Sequence, residues 1–505
     1  MKGLPLVLMT LALSLGVFMN VLDTSIANVA IPAIAGDLAV SPNQATWVIT
    51  SFAASTAIML PLTGWLAKRF GEVKLFVSAT FLFTITSTLC GLATNLPLLL
   101  FFRVLQGMTA GPMIPLSQSL LLANYPVKKR GLATSLWAMT AVVAPICGPV
   151  LSGWITDNFS WPWIFYINLP VGLISALGTW IFLADRETPI IKLPIDKLGF
   201  ILLIVGVGSL QILLDEGKDL DWFNSPLIMA LAIISFIAIS FLIVWELTER
   251  YPVVDLSLFC RRNYTLGVIA LSIGYMTFFA NVVILPLWLQ TQMGYTATWA
   301  GLATAPVGVL MLVFSPFVGS WINKVDLRIL SSVGFMVFAV VCFWNASFNT
   351  GVSFEQIILP RFIQGIGLSF FFIPLISIIL SGLSPERLAS ALGLANFFRI
   401  LGGSFGTSLS VTLWEHREII HNSQLVESLS PLQPGVEQAL QQLHNTGFTE
   451  AKALAQIAKV ITNQAYMLAS NDIFLLSGCV FLSLLVVVWL ARPPFTEPND
   501  QLITD

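Results

Sequence analysis

Residues 11–32, LALSLGVFMNVLDTSIANVAIP, are almost pure hydrocarbon, yet the stretch carries one carboxylate, Asp23, near its middle. A helix rises about 1.5 Å per residue, so this run is long enough to cross a hydrocarbon core of about 30 Å. A charge at the bilayer midplane costs on the order of 3 kcal/mol on insertion scales, which marks Asp23 as functional by default. A shift of 258 positions brings the pattern back: Leu13-Ser14-Leu15-Gly16 falls on Leu271-Ser272-Ile273-Gly274, and Asp23 falls on Asn281. The chain therefore contains this helix twice, with a titratable group in one copy only.

Working outward, the whole chain has the same character. It is 56% hydrophobic and only 10% charged, too few charges to cover a water-soluble surface, which normally carries about a quarter. Fourteen apolar segments are expected as membrane helices, at 6–34, 43–66, 73–93, 97–123, 132–157, 162–184, 198–215, 225–247, 264–292, 298–322, 329–348, 355–381, 388–414 and 472–492. Long apolar runs without strand-like alternation are read as helices, because lipid offers no partner for an open backbone. The N-terminal run imitates a signal peptide, with Ala33-Ile34-Ala35 as a cleavage look-alike, but it is about twice the usual 7–15 residues and holds an acid, so it is read as a retained first helix. The five cysteines stand singly without disulfide or metal spacing. Nothing suggests nucleic acid; the densest basic cluster, Lys128-Lys129-Arg130, is an orientation signal.

The repeat organises the segments. After the first outer loop the offset is 252, where Ala45-Thr46-Trp47 meets Ala297-Thr298-Trp299; it then returns to 258, where Arg103, Gln106 and Gly107 meet Arg361, Gln364 and Gly365, and Gly148 meets Gly406. An all-α integral membrane fold follows: a six-helix bundle over 1–184, an inserted helix pair within 185–263, and a second six-helix bundle over 264–505. An even number of crossings per copy makes the repeat parallel, and such bundles alternate access to a site between them near the midplane. Of the 24 basic residues, only Lys218, Arg417, Lys452 and Lys459 fall in loops opposite the termini, while Arg103, Arg361 and Arg399 lie within helices. The positive-inside rule then places both termini in the cytoplasm.

One loop, 415–471, is large and lies outside. It carries His416, His421 and His444 and two expected helices, near 435–445 and 449–469. In the second, Leu454, Ala458, Ile461, Ala465 and Leu468 recur at helical spacing, an apolar stripe that either packs on the protein's own bundle or membrane surface or docks another protein. His416 and His421 are five residues apart and share no helix face, so metal ligation is not expected.

Asp23 is the leading functional candidate: a carboxylate in an apolar, partly wet cavity can take a proton from one side of the membrane and release it on the other. The structural alternative is helix fastening through Asn20, Asn28 or a neighbouring helix. Arg103 stays charged and so cannot carry the proton itself, but a state-dependent distance to the acid would control proton release; otherwise it binds carbonyls near a membrane face. Arg361, whose copy lacks the acid, is expected to be structural. Arg399 must face the interior, either attracting anions or fastening helices. Gly148 and Pro149 combine a small surface with a missing backbone donor, which suits a gate; Pro145, Pro115 and Pro374 are expected to bend their helices. Trp161, Trp163 and Trp222, at loop edges, read as interfacial anchors.

Four stretches carry a resemblance. Residues 22–32 resemble the first-helix signature of fourteen-helix drug:proton antiporters of the major facilitator superfamily; 64–74, GWLAKRFGEVK, resembles that superfamily's loop after helix two; 103–107, RVLQG, resembles the helix-four motif tied to proton coupling; 144–153, APICGPVLSG, resembles the helix-five antiporter motif. Helix count, inserted pair and large last outer loop fit the EmrB-type inner-membrane pumps of Gram-negative bacteria. Departures are Lys68 where an acid is usual, with Glu72 as its possible replacement, and Ala144 and Ser152 where glycine is usual. The resemblance implies proton-driven export of hydrophobic or amphipathic drugs, with Asp23 and Arg103 coupling protons, Gly148, Pro149 and Pro145 controlling exchange, no cofactor beyond the proton gradient, and a periplasmic adaptor and outer-membrane channel as partners. An apolar, adaptable pocket is then expected near the central axis, with Asn28, Trp47, Gln106, Trp137, Asn281, Asn396, Phe397 and Arg399 as candidate lining. A proton-coupled uptake symporter remains open. A membrane enzyme is the third class, but it needs clustered reactive groups, and no GxxxxGK[ST] phosphate cradle is present.

Overall fold

The computed structural model describes residues 3–126, 129–191, 194–322, 324–428 and 434–495. Among them the chain is helical, without a strand: α1 (Leu4–Asp37), α2 (Trp47–Phe70), α3 (Glu72–Gly91), α4 (Leu96–Asn124), α5 (Arg130–Asn158), α6 (Asn168–Leu183), α7 (Lys197–Glu216), α8 (Pro226–Thr248), α9 (Arg262–Thr291), α10 (Val307–Trp321), α11 (Leu327–Asn345), α12 (Phe354–Leu380), α13 (Leu388–Ser428) and α14 (Glu450–Trp489). Short helices Trp163–Tyr166 and Ala297–Thr304 lead into α6 and α10. Thirteen helical stretches are long and apolar enough to span a membrane, and α5, with 29 residues, makes the fourteenth crossing. Lys128 lies outside the described residues.

Helix ends are set by polar residues that satisfy first-turn N–H groups. Asn95 caps α4 by accepting from Leu98 N, Asp196 caps α7 through Gly199 N, and Ser353 with Gln356 forms a reciprocal capping box on α12. The helix bodies are apolar on all sides, as lipid requires. On α8, Phe236 and Ile237 are exposed, whereas α12 is enclosed along the run Gly367–Ile376.

The packing repeats with the sequence. Gly107 lets α4 approach the backbone of α2 at Phe52, and Gly365 lets α12 approach the segment before and at the start of α10 at Val307; Gly148 brings α5 against Ser25 of α1, and Gly406 brings α13 against Met276 of α9. Small residues at these crossings allow close van der Waals contact, the main source of helix association where lipid is as apolar as leucine. The two bundles meet at the end that holds the termini. There Gly131 of α5 lies against the backbone of Gly319 of α10, Gly64 of α2 against Ser390 of α13, and Gly393 against Leu60. Higher along the seam Trp137 of α5 stacks on Phe372 of α12, rings 5.7 Å apart and 13° from parallel.

The inserted pair is stitched to the seam. Gln211 Nε2 on α7 donates to Ser404 Oγ at 2.9 Å, Ser408 Oγ donates to Leu214 O at 2.6 Å, and Trp222 Nε1 donates to Thr412 Oγ1 at 2.8 Å, all on α13. On its other side α7 reaches α2, where the Thr50 hydroxyl hydrogen-bonds to Asp215.

Three expectations change. The large outer loop is a helical stalk: α13 runs on to Ser428, and the second expected loop helix and the last crossing are one helix, α14, of 40 residues. At about 1.5 Å per residue each is about 60 Å long, so about half projects beyond the membrane. The short helix Pro434–Asn445 joins them at the tip. The face of α14 turned inward is Ala453, Ile457, Ile461, Ala465 and Ala469, while Leu454 and Leu468 of the expected stripe are exposed. On this four-residue register Ala453, Ala465 and Ala469 are buried and let the paired helices approach closely, with Ile457 and Ile461 half-buried between them. Trp161 is not exposed to act as a membrane anchor, being buried and donating to Asp37 Oδ2 at 2.7 Å; Trp222 is half-buried and holds the α7–α8 loop to α13, and Trp163 remains exposed.

Candidate functional site

Asp23, on α1, is enclosed by four other helices. Its Oδ2 accepts from Arg103 Nη1 at 2.6 Å, and its Oδ1 accepts from Gln106 Nε2 at 3.0 Å and Asn168 Nδ2 at 2.8 Å. Arg103 and Gln106 lie three residues apart on α4 and so share a face, and Arg103 Nη1 also donates to Gln106 Oε1 at 2.8 Å. Arg103 Nε donates to Val48 O of α2 at 2.9 Å, and its guanidinium lies over the Phe52 ring at 4.2 Å. Asn168, the first residue of α6, is held by a second bond to Ser87 Oγ of α3 at 2.9 Å; Cys90, one turn on, donates to Gln106 Oε1 at 3.5 Å.

The exposures of Asp23 and Arg103 are 2% and 0%, so neither charge is hydrated. Desolvation costs several kcal/mol per ion, and a buried pair persists only when further hydrogen bonds complete it. Three donors satisfy the carboxylate, and the guanidinium binds a carbonyl through Nε and lies over an aromatic face, while its Nη2 has no hydrogen-bond partner among the described residues.

The antiporter-like helix touches this network. Ser25 Oγ donates to Pro145 O at 3.1 Å and Ser152 Oγ donates to Ile26 O at 2.9 Å, so α5 grips α1 two and three residues beyond Asp23. Gly148 lies between those bonds against Ser25; Pro145 is exposed, and the side chain of Pro149 lies outside the described residues. α5 is a continuous helix through these positions, as are α4 through Pro115 and α12 through Pro374.

The remaining candidates separate into groups. Asn281 is buried on α9, donating to Thr277 O at 2.7 Å and accepting from Cys342 Sγ at 3.7 Å. Arg399 Nη1 donates to Tyr275 OH at 3.0 Å, with its guanidinium over the Tyr275 and Phe372 rings; since Phe372 stacks on Trp137, these residues gather at the seam between bundles. Trp137 is fully buried there and donates to Ser117 Oγ at 2.9 Å. Asn396 is buried and donates to Leu392 O of its own helix, and Phe397 packs edge-on to Phe398. Asn28 is exposed, and Trp47 is half-buried one residue before the Val48 carbonyl that Arg103 binds. Asn20, offered as a fastening partner, binds Ala110 O instead of Asp23.

Glu72 turns inward and accepts from Ser119 Oγ at 2.8 Å, while Lys68 is half-buried at the end of α2. Another acid, Glu187 beyond α6, caps α3 by accepting from Val73 N at 3.0 Å and Lys74 N at 2.9 Å, where an anion meets the positive end of the helix. Gly71, at φ +88°, is the only residue type that suits this turn and also leaves room for Glu187. Asn168 and Ser87 were missed because polar residues in membrane helices more often fasten their own backbone; an asparagine opening an apolar span was the available signal. For Glu187, outside any span, no local signal existed.

A parallel pair of six-helix bundles, with a buried ion pair in the first and an arginine without its acid at the matching place in the second, is the architecture of a membrane transporter. The description Major Facilitator Superfamily matches over residues 13–407. The chain is 52% identical to Multidrug export protein EmrB of Escherichia coli K12, over 98% of this chain and 97% of that one, and 49% identical to Fatty acid resistance protein FarB of Neisseria gonorrhoeae, over 98% of each. Among solved structures it superposes on the proton:xylose symporter XylE with a TM-score of 0.61 at 17% identity, covering 97% of this chain and 96% of that one, which speaks to the fold alone. The chain belongs to the Major Facilitator Superfamily, and within it to the EmrB-type proteins.

Proposed function

We propose that the chain is a proton-driven antiporter that exports hydrophobic and amphipathic small molecules across a bacterial inner membrane. The observation that carries this reading is the Asp23–Arg103 pair, sealed in the bundle and mechanically joined to α5. α5 also makes the contacts at Gly131 and Trp137 that close one bundle on the other. Proton uptake on Asp23 loosens Arg103 and the α1–α5 grip, and α5 transmits the change to the seam; release restores the pair. The excess of basic residues supports a cytoplasmic position for the termini and for the closed end beside them. Export of many drugs is supported by likeness to the multidrug export proteins, and the resistance protein for fatty acids supports amphipathic acids among the substrates. The aromatic-flanked Arg399 at the seam suits an anionic head group. The stalk is the surface we assign to a periplasmic adaptor, through which drug passes to an outer-membrane channel.

The test is drug movement in proteoliposomes under an imposed pH gradient, with native protein and Asp23→Asn side by side. The expected result is drug accumulation toward the acidic side in the native protein, and loss of gradient-driven flux with retained drug binding in the variant. Drug moving together with the proton would make the protein a symporter and overturn the reading.

A further inference from the structure

The second bundle repeats the proton site with its acid deleted. Asp23, Arg103 and Gln106 map at one offset, 258, onto Asn281, Arg361 and Gln364. The contacts repeat as well: Arg361 Nη1 donates to Gln364 Oε1, as Arg103 Nη1 does to Gln106 Oε1. A cysteine closes each network, Cys90 on Gln106 and Cys342 on Asn281.

Arg103 has a carboxylate, a backbone carbonyl and an aromatic face, and only its Nη2 lacks a hydrogen-bond partner among the described residues. Arg361 is 2% exposed, yet among the described residues its Nε and Nη2 have no hydrogen-bond partner and it has no salt bridge. The residue in the acid's place, Asn281, is neutral, and Cys342, within electrostatic reach of Arg361, uses its thiol proton as donor to Asn281. One turn beyond Cys342 on the same face of α11 stands Asn345, 1% exposed, with Nδ2 and Oδ1 also lacking partners among the described residues. An arginine keeps its proton, and a buried cation is stable only when paired. Where the first bundle holds a carboxylate, the second thus holds the neutral Asn281, with the unpaired guanidinium N–H groups of Arg361 on α12 and the unpartnered Asn345 amide on α11.

We propose that Arg361, with Asn345, Asn281 and Gln364, binds a monovalent anion of carboxylate or halide type in the second bundle. Arginine's planar fork suits a carboxylate in two-point contact. The anion has two sources: a small ion from solution, or the head group of an exported amphipathic acid. The second source rests on the export reading above; the first does not.

The experiment uses the full chain, purified in detergent in a chloride-free methanesulfonate buffer of constant ionic strength. Thermal midpoint and tryptophan fluorescence are followed while chloride, acetate or decanoate is added. The native protein is expected to respond saturably, since a ligand of the folded state raises its midpoint by mass action. Arg361→Gln should weaken the response at least about tenfold, equal to about 1.4 kcal/mol of binding free energy. Asn281→Asp supplies the missing carboxylate internally and should abolish the response while holding the midpoint near that of the anion-loaded native protein. If Arg361→Gln does not fold, Asn281→Asp carries the test alone. A response to chloride and acetate identifies a small-ion site; a response to decanoate alone identifies the head group of a substrate. A native protein indifferent to all three, or an equal response in native protein and both variants, overturns the proposal. No pH gradient or flux enters the measurement, so its outcome is separable from that of the export reading.

Discussion

At the scale of the residue, the central feature is a charge pair that neither partner could sustain alone. Truncating one member of a buried pair leaves the other uncompensated, at a cost of about 3–5 kcal/mol. Arg103→Ala is therefore expected to lower thermal stability sharply, because Asp23 keeps only the Gln106 and Asn168 amides. The double variant Asp23→Asn, Arg103→Gln removes both charges and should recover most of that stability while remaining inactive in gradient-driven transport. Melting curves of the two singles and the double complete the cycle; a double variant that transports normally would show that the pair is structural only.

At the scale of the element, α5 links chemistry to movement. It holds α1 beside Asp23 and meets α10 at a glycine–glycine crossing near the termini. A Cβ branch at Gly131 has no room against the Gly319 backbone, and overpacking costs about 1–3 kcal/mol. Gly131→Val should shift the protein away from this closed state by that amount, about fivefold or more in population. The check is thiol labelling of Thr134→Cys, a position buried beside the crossing, in a chain whose exposed Cys260 and Cys479 are replaced by serine. Labelling should accelerate from the side of the termini; an unchanged rate would place the moving contact elsewhere, for example at the Gly64–Ser390 crossing.

At the scale of the whole molecule, the stalk and the membrane body have different jobs. The stalk is pinned by Asp472, which accepts from Arg417 Nε at 2.6 Å and pairs with His421 Nε2 at 2.7 Å. Replacing residues 429–449 by a short polar linker should leave folding, membrane insertion and proteoliposome exchange intact, since the side chains described in that segment, 438–449, are exposed or half-buried. Resistance conferred in whole cells should fall if the tip serves adaptor docking. Retained resistance with retained exchange would move the docking surface to the flanks of α13 and α14.

The sequence by itself determined the membrane class, the run of crossings and the repeat, and it singled out Asp23 and Arg103 as charges inside apolar helices. These follow from apolar length, from charge in an apolar run and from matching offsets, which are local or pairwise properties of the chain. Tertiary structure alone decided that Arg103 meets Asp23, that Asn168 and Ser87 complete the network from α6 and α3, and that Glu187 caps α3. It also turned the outer loop into a stalk, where the small alanines rather than the leucines face inward. Contacts between helices far apart in sequence depend on the rotation and depth of each helix, and in an all-apolar segment no pattern of polarity sets that rotation. Arg361 shows the division best: the offset supplied its missing acid, but only its burial without a carboxylate partner among the described residues gave that deletion a physical meaning.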